Sequence, residues 1–295
     1  MQAQVLFGEA RGLVPGVARV VAITVVALTA ATAAAQSCEP VKRTGPMHAT
    51  AGIESHMFSH AGSTVGVKLW RFQAADWTVR VVDMRDQRLR LAENGSYAAP
   101  SHSLNELAQT LGNKSVVSSA GMTESLVAPQ PVGLLKVGGK QKSGVYNSSR
   151  VLDGVLCVAR TGPFSLLSEV TAAGRRVVQD KKVWDGCHEA VQAGPMLVAD
   201  AAPLIQARLS ASGARVFAGL DSSGLQVLGQ SPRASTFDLA CVLASPELGL
   251  RQAIALQGDA LGGIDFGLRS GLPADTWGLD HAAVASALVV TRRRK

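Results

Sequence analysis

Aromatic side chains are scarce in this 295-residue chain: they make up 4% of it, and only two residues are tyrosine. A nucleic-acid surface that stacks bases on aromatics between basic residues therefore has too few platforms. Charged residues are also few, at 17%, against 47% hydrophobic residues. That balance excludes disorder over the whole chain and leaves enough apolar surface for a real core. The four cysteines form no CxxC pair, and His188 beside Cys187 has no partner at ligand spacing, so no zinc pattern is present. The nucleophile elbow GxSxG and the zinc motif HExxH do not occur, and no GxGxxG opens a helix after a strand. A near match to a phosphate-cradling loop starts at Gly133 (GLLKVGGK), but Gln141 follows Lys140 where a hydroxyl is needed, so it reads as a strand and a turn. No segment recurs at a fixed period.

The formal charge of +7 is concentrated at the two ends. Residues 1–36 hold Glu9, Arg11 and Arg19, and the tail Arg292, Arg293, Arg294, Lys295 holds four positive charges, which leaves about +2 for the body. Nucleic acid is not expected as a partner. Arg11 and Arg19 precede the uncharged run Val20 to Ala35, which ends in small residues and has the order of a signal peptide. The run is short for a membrane-spanning helix, which needs about 20 apolar residues. Ala33 and Ala35 offer the small side chains a signal peptidase admits, with Gln36 as the new N-terminus. A lipid anchor on Cys38 and an uncleaved signal anchor are the alternatives, and the membrane is a partner only through this segment if it stays uncleaved. Export makes Cys38, Cys157, Cys187 and Cys241 candidates for disulfides in one of three pairings, beside the reading of Cys157 and Cys241 as buried small hydrophobes.

The segment 37–64 reads as a poorly structured arm. Its histidines 48, 56 and 60 are read as solvated rather than ligating, so no metal is assigned and the cofactor requirement is unknown. From Val65 the pattern alternates with period two, predicting strands over Val65–Leu69 and Trp77–Asp83. Leu104 to Leu111 has helical spacing behind Ser103, with Glu106 three residues on, as a capping box requires. Strands are predicted over 115–118, 132–137, 151–158, 165–170 and 191–198. A hairpin joins 214–220 to 225–228 across Asp221–Gly224, a helix follows Ser235, and 253–256 is a last strand. Hairpins mixed with a few helices predict an α+β fold around a mixed β-sheet, in a single domain over 65–290 that precedes a basic tail at 291–295.

Four segments in this order resemble the phosphodiester glycosidase family, which contains the lysosomal enzyme uncovering mannose 6-phosphate and many exported bacterial relatives. They are Val116–Met122 (VVSSAGM) with the strand from Pro131 and the turn Gly139-Lys140; Asp153–Leu156; Ala190–Val198 (AVQAGPMLV); and the stretch from Arg215 (RVFAGLDSSG) through Leu239-Ala240 to Ala253–Gly258. The closing motif diverges, with Gln257 where the family has an aspartate, Asp259 at its second glycine and Leu261 near a serine; Ser119 and Thr123 stand at its asparagine and aromatic positions. The resemblance implies an exported hydrolase acting on sugar-phosphate diester linkages of envelope or exopolysaccharide material. On that reading Arg215 clamps the phosphate and Asp259 is the carboxylate, while Gly121, Met122, Gln192, Gly194, Gln257 and Gly258 bind a glycan or sugar-phosphate substrate. Asp221 reads instead as a residue capping its own turn. A catalytically impaired envelope protein that binds glycans or partners is the alternative on the same scaffold, since glutamine cannot act as a base near neutral pH.

The signal-peptide reading predicts a mature protein that begins near Gln36 in the periplasmic or secreted fraction. Intact-mass measurement on that fraction checks it, and full-length chain in the membrane pellet would instead identify an anchor.

Overall fold

The computed structural model describes residues 38, 48–49, 66–72, 75–83, 87–93, 103–110, 116–124, 129–148, 151–160, 164–168, 181–205, 213–246, 248–258, 264–265 and 284–292. All of them lie in one compact unit, Ala35–Lys295. The signal-peptide reading of 1–36, most of the 37–64 arm, His56, His60, Asp259, Leu261 and residues 293–295 lie outside the described residues.

In chain order the first elements are β1 (His48–Ala49), β2 (Gly66–Phe72), β3 (Ala75–Asp83), β4 (Gln87–Glu93), α1 (Leu104–Thr110), β5 (Val116–Ser119) and β6 (Met122–Thr123). Next come β7 (Pro131–Val132), β8 (Leu135–Val137), β9 (Lys140–Ser143), β10 (Gly154–Val158), β11 (Phe164–Ser168), α2 (Lys181–Asp185), β12 (Glu189–Ala193), β13 (Met196–Ala199) and β14 (Ala202–Pro203). The last are β15 (Gly213–Asp221), β16 (Gln226–Ala234), α3 (Thr236–Ala244), β17 (Leu250–Gly258), β18 (Ile264–Asp265) and β19 (Ser286–Arg292).

The strands form an eight-stranded sheet in the order β1-β2-β3-β16-β15-β17-β13-β14, a five-stranded sheet β11-β10-β12-β8-β9, a four-stranded sheet β18-β5-β19-β4 and the pair β6-β7. Every pairing among the described residues is antiparallel. The fold is therefore β-rich, which corrects the α+β expectation and its mixed sheet. Parallel neighbours need crossover connections, usually helical, and the three described helices are only 7, 5 and 9 residues long. They cover faces of antiparallel sheets instead.

Both faces of the central strands are buried, because residues of one strand alternate between two cores. On β15, Val216 and Ala218 join the core shared by the three larger sheets, with Leu156, Val191, Ile254 and Leu288, while Phe217 points the other way. Phe217 meets Leu239 and Leu243 of α3, all fully buried. Each such side chain contributes roughly 2 kcal/mol of transfer free energy. Helix α3 starts where Ser235 caps it, its hydroxyl accepting from the Asp238 amide at 3.0 Å. Helix α1 opens on the predicted capping box: Glu106 accepts from the Ser103 amide at 2.7 Å, and Ser103 Oγ accepts from the Glu106 amide at 3.3 Å.

Two predicted strands are shorter than their apolar patterns suggest. The run 191–198 breaks at a cis Gly194–Pro195 bond, after which β12 belongs to the five-stranded sheet and β13 to the eight-stranded one. The run 151–158 pairs only from Gly154, which leaves Val151–Asp153 as a loop against that corner. The P-loop-like segment is a strand and a turn, with Gly138 and Gly139 at φ 57° and 83° between β8 and β9.

All four cysteines are paired, Cys38 with Cys241 on α3 and Cys157 with Cys187. The Cys38 sulfur is thereby committed, which sets aside the lipid-anchor reading. Two disulfides suit an oxidising compartment, and no helix among the described residues is long and apolar enough to cross a membrane. The Cys157–Cys187 bridge closes a 30-residue loop, so the Cys157→Ser/Cys187→Ser double variant is expected to lose about 3 kcal/mol of stability in urea unfolding.

Candidate functional site

A cavity of about 320 Å³ opens beside the central strands of the eight-stranded sheet. Its lining comes from six separate stretches: Met122 and Thr123 of β6, Val151, the Gly194-Pro195 corner, Arg215 of β15, Thr236 at the start of α3, and Ala255, Gln257 and Gly258 of β17. Antiparallel pairing explains how Arg215 meets residues some forty positions away, since Arg215 and Gly258 are register partners. The register slips between Val216 and Phe217, which pair with Gln257 and Ala255. Leu256 is thus an extra residue on β17, a bulge of the kind that re-aims side chains next to binding sites.

Arg215 lies within the sheet, its strand between β16 and β17, and the residue is 9% exposed. Its Nη1 donates to the Ala214 carbonyl at 2.8 Å. Gly258 makes room for it: a Cβ there would stand 2.8 Å from Arg215 Nη1 and 3.3 Å from the Ala214 carbonyl. Gly194 is required for a similar reason. A Cβ at that position would collide with the Val151 carbonyl and sit 2.9 Å from the Asp153 amide. Fully buried Asp153 ties the same corner from the other side, its Oδ1 accepting from the Met196 amide at 2.7 Å.

Gln192 and Gly121 are not among the cavity-lining residues. Gln192 is 1% exposed, and its amide is used on backbone. Oε1 accepts from Leu134 N at 3.1 Å and Tyr146 N at 2.9 Å; Nε2 donates to the Tyr146 and Leu152 carbonyls at 3.1 and 3.0 Å. It is a clamp that holds the Val151 loop rather than a group presented to a ligand. Gly121, at φ 65°, passes so close to β12 that a Cβ would meet Val191 Cγ2 at 2.6 Å. Asp221 caps its own turn, accepting from Ser223 N, Ser223 Oγ and Leu225 N at 2.7–2.8 Å. Asp259 follows Gly258 but lies outside the described residues.

Arg215 is the one charged side chain among the cavity-lining residues described. The N-terminal end of α3, at Thr236, adds positive potential at the wall, offset in part by Asp238 within the cap. Gln257 is 6% exposed, and its buried Oε1 has no partner among the described residues. Such an oxygen costs about 1–3 kcal/mol unless a donor reaches it. No cluster of metal-ligating side chains occurs among the described residues. A cation, glycine backbone and apolar walls make an anion-binding chemistry; a proton-transferring carboxylate is not among the described lining residues. Sequence reasoning missed Thr123, Val151, Pro195, Thr236 and Ala255 as lining residues. Ser235 gave a signal for Thr236 by marking a helix start, whereas Val151 and Ala255 carry no local mark.

The chain matches no protein-family model and no curated protein in sequence. It does share its fold with solved structures. The catalytic domain of zebrafish N-acetylglucosamine-1-phosphodiester alpha-N-acetylglucosaminidase, auto-inhibited by its pro-peptide, is similar over 85% of this chain and 95% of its own, with a TM-score of 0.53 at 12% identity. A hypothetical protein from Synechocystis matches 78% of the chain with a TM-score of 0.53 at 14% identity, and the match spans only 62% of that protein. A Burkholderia pseudomallei protein named as exported matches 80% of the chain and 76% of its own, with a TM-score of 0.52 at 13% identity. The relationship to the glycosidase domain is thus a distant structural one.

The Gln192 clamp yields a test. Gln192→Ala removes the partner of two amides and two carbonyls at once, and is expected to lower the unfolding free energy by about 2–4 kcal/mol in urea titration.

Proposed function

We propose that this protein is an exported hydrolase of the phosphodiester glycosidase type, acting in the periplasm or outside the cell on sugar-phosphate diester linkages of envelope material. The observation that carries the reading is the meeting of Met122, Gly194, Arg215, Gln257 and Gly258 in one cavity from segments far apart in sequence. The shared fold with a phosphodiester glycosidase domain supports it. In this reading the Arg215 guanidinium donates two hydrogen bonds to phosphate oxygens, neutralising charge as the bond to the sugar breaks. Asp259, next to Gly258, is the carboxylate that takes a proton from the water attacking the anomeric carbon as the phosphate leaves. The partner is a glycan or sugar phosphate rather than nucleic acid.

A second reading is favoured by one specific observation: the side chain at the cavity in the closing motif is the amide of Gln257, which cannot exchange a proton near neutral pH. A catalytically impaired glycan-binding protein would need no more than that.

Hydrolysis of a chromogenic sugar phosphodiester by the purified mature chain separates the two. Turnover is expected, with kcat/KM falling about 100-fold or more in Arg215→Ala, the size of effect seen when one charge-stabilising donor is removed, and a comparable fall in Asp259→Asn. Full activity of Asp259→Asn removes that residue from the chemistry. Absence of turnover with retained sugar-phosphate binding selects the second reading.

A further inference from the structure

One end of the four-stranded sheet gathers the chain's uncompensated charge. On β4, exposed Arg88 and Arg90 alternate with buried Leu89 and Leu91, so both arginines leave the strand on the same face. Arg88 Nη2 donates to the Arg160 carbonyl at 3.0 Å, which brings the exposed Arg160 beside them. Strand β19 pairs with β4 along its length, with Thr291 opposite Arg88 and Arg292 opposite Gln87. The basic residues 293–295 therefore follow directly from a strand end that is fixed next to Arg88. Glu189 stands 3.9 Å from Arg90 Nε, but it is buried and accepts from the Leu91 amide. At the other end of β4 the charges balance, Glu93 meeting Lys142 at 2.6 Å. Arg85 and Asp86, just ahead of β4, cancel in charge. Residues 1–36 carry +1 of the formal +7, which leaves +6 for the rest, and the seven cations at this end less Glu189 account for all of it. Every other charge from residue 37 onward sums to zero, so the field of the folded body points from this one end.

We infer that this end of the sheet docks on an anionic lipid surface, its arginines meeting headgroup phosphates. Six of the seven cations are arginine, whose planar fork takes two phosphate oxygens at once. Two features select a lipid surface over a nucleic-acid strand or another polymer. No aromatic residue occurs within 87–93 or 286–295 to stack a base. The cations also come from three segments that meet on an outward sheet face, which suits a plane of diffuse negative charge better than a single strand needing a groove. None of them lines the Arg215 cavity, so docking does not depend on the hydrolytic reading. A membrane contact that the sequence assigned only to an uncleaved signal segment thus falls to the folded domain as well.

Co-sedimentation of the mature chain, from Gln36 onward, with lipid vesicles tests this. Binding is expected to vesicles of phosphatidylcholine and phosphatidylglycerol at about 2:1 and not to phosphatidylcholine alone. It is expected to vanish in about 0.5 M salt, where exposed charges are screened within a few ångströms. Each cation near such a surface strengthens adsorption about fivefold, so Arg88→Gln/Arg90→Gln is expected to weaken the partition about 25-fold, and Arg88→Lys/Arg90→Lys to retain it. Glutamine in place of all four residues 292–295 is expected to abolish binding. Equal recovery with neutral and anionic vesicles overturns the docking surface, as does parental affinity in both glutamine variants. An equal loss in the Gln and Lys variants of Arg88 and Arg90 also overturns it, since that would mean a structural role. Capture of soluble polyphosphate without binding of the anionic vesicles overturns it in favour of a polymeric partner.

Discussion

The cavity depends on a contact that only a residue without a side chain permits. At Gly194 the backbone lies against the Val151 carbonyl and the Asp153 amide, where any Cβ would overlap them. That approach does two things together. It ends β12 in one sheet and starts β13 in another, so the chain crosses between sheets at the cavity wall. It also clamps the Val151–Asp153 loop between the corner and the Gln192 amide, while Asp153 binds Met196 just past the corner. A buried carboxylate and a buried amide, each spent on backbone groups, make the wall stiff: losing either strands several polar atoms out of reach of water.

A second glycine contact builds another part of the lining. Arg215 lies over Gly258 because the two are cross-strand partners and one has no side chain. Its charge is tolerable near the sheet's centre since the bulge at Leu256 opens the ladder there, and because the guanidinium is hydrogen-bonded to backbone. The resulting cavity carries positive potential from a guanidinium and from a helix end, within walls of Met122, Val151, Pro195 and Ala255. Anions gain most in such surroundings, where water competes poorly for the donors.

Much of the secondary structure was legible in the residues, because its causes are local. Period-two runs marked β2 and β3, the predicted strands 214–220, 225–228 and 253–256 caught most of β15 and only parts of β16 and β17, Ser103 with Glu106 and Ser235 marked two helix starts, and Asp221–Gly224 marked a hairpin turn that Asp221 caps itself. Strands β4 and β19 went unread. β4 reads QRLRLAE, polar enough to pass for a loop, and it becomes a strand only by pairing along its length with β19, some two hundred residues later. The α+β expectation failed similarly: helices and hairpins are visible locally, but which strands pair, and in which direction, depends on partners the local pattern does not name.

The sequence by itself determined where the chain must bend, where helices begin, and that an arginine and several glycines stood in a recognisable order. Those are properties of φ/ψ preference, capping and side-chain period, which act over a few residues. Only the tertiary structure decided what these residues face. Gln192 looked like a substrate ligand and became a clamp, since its amide finds Leu134, Tyr146 and Leu152 around it. Arg215 stands inside the sheet and lines a cavity, since β17 and β16 flank its strand. Val151 and Ala255 gained a role only because a backbone corner and a bulge turned them toward it. Function at a site belongs to groups gathered from distant positions, and that gathering is set by long-range packing free energy rather than by any residue's own preference.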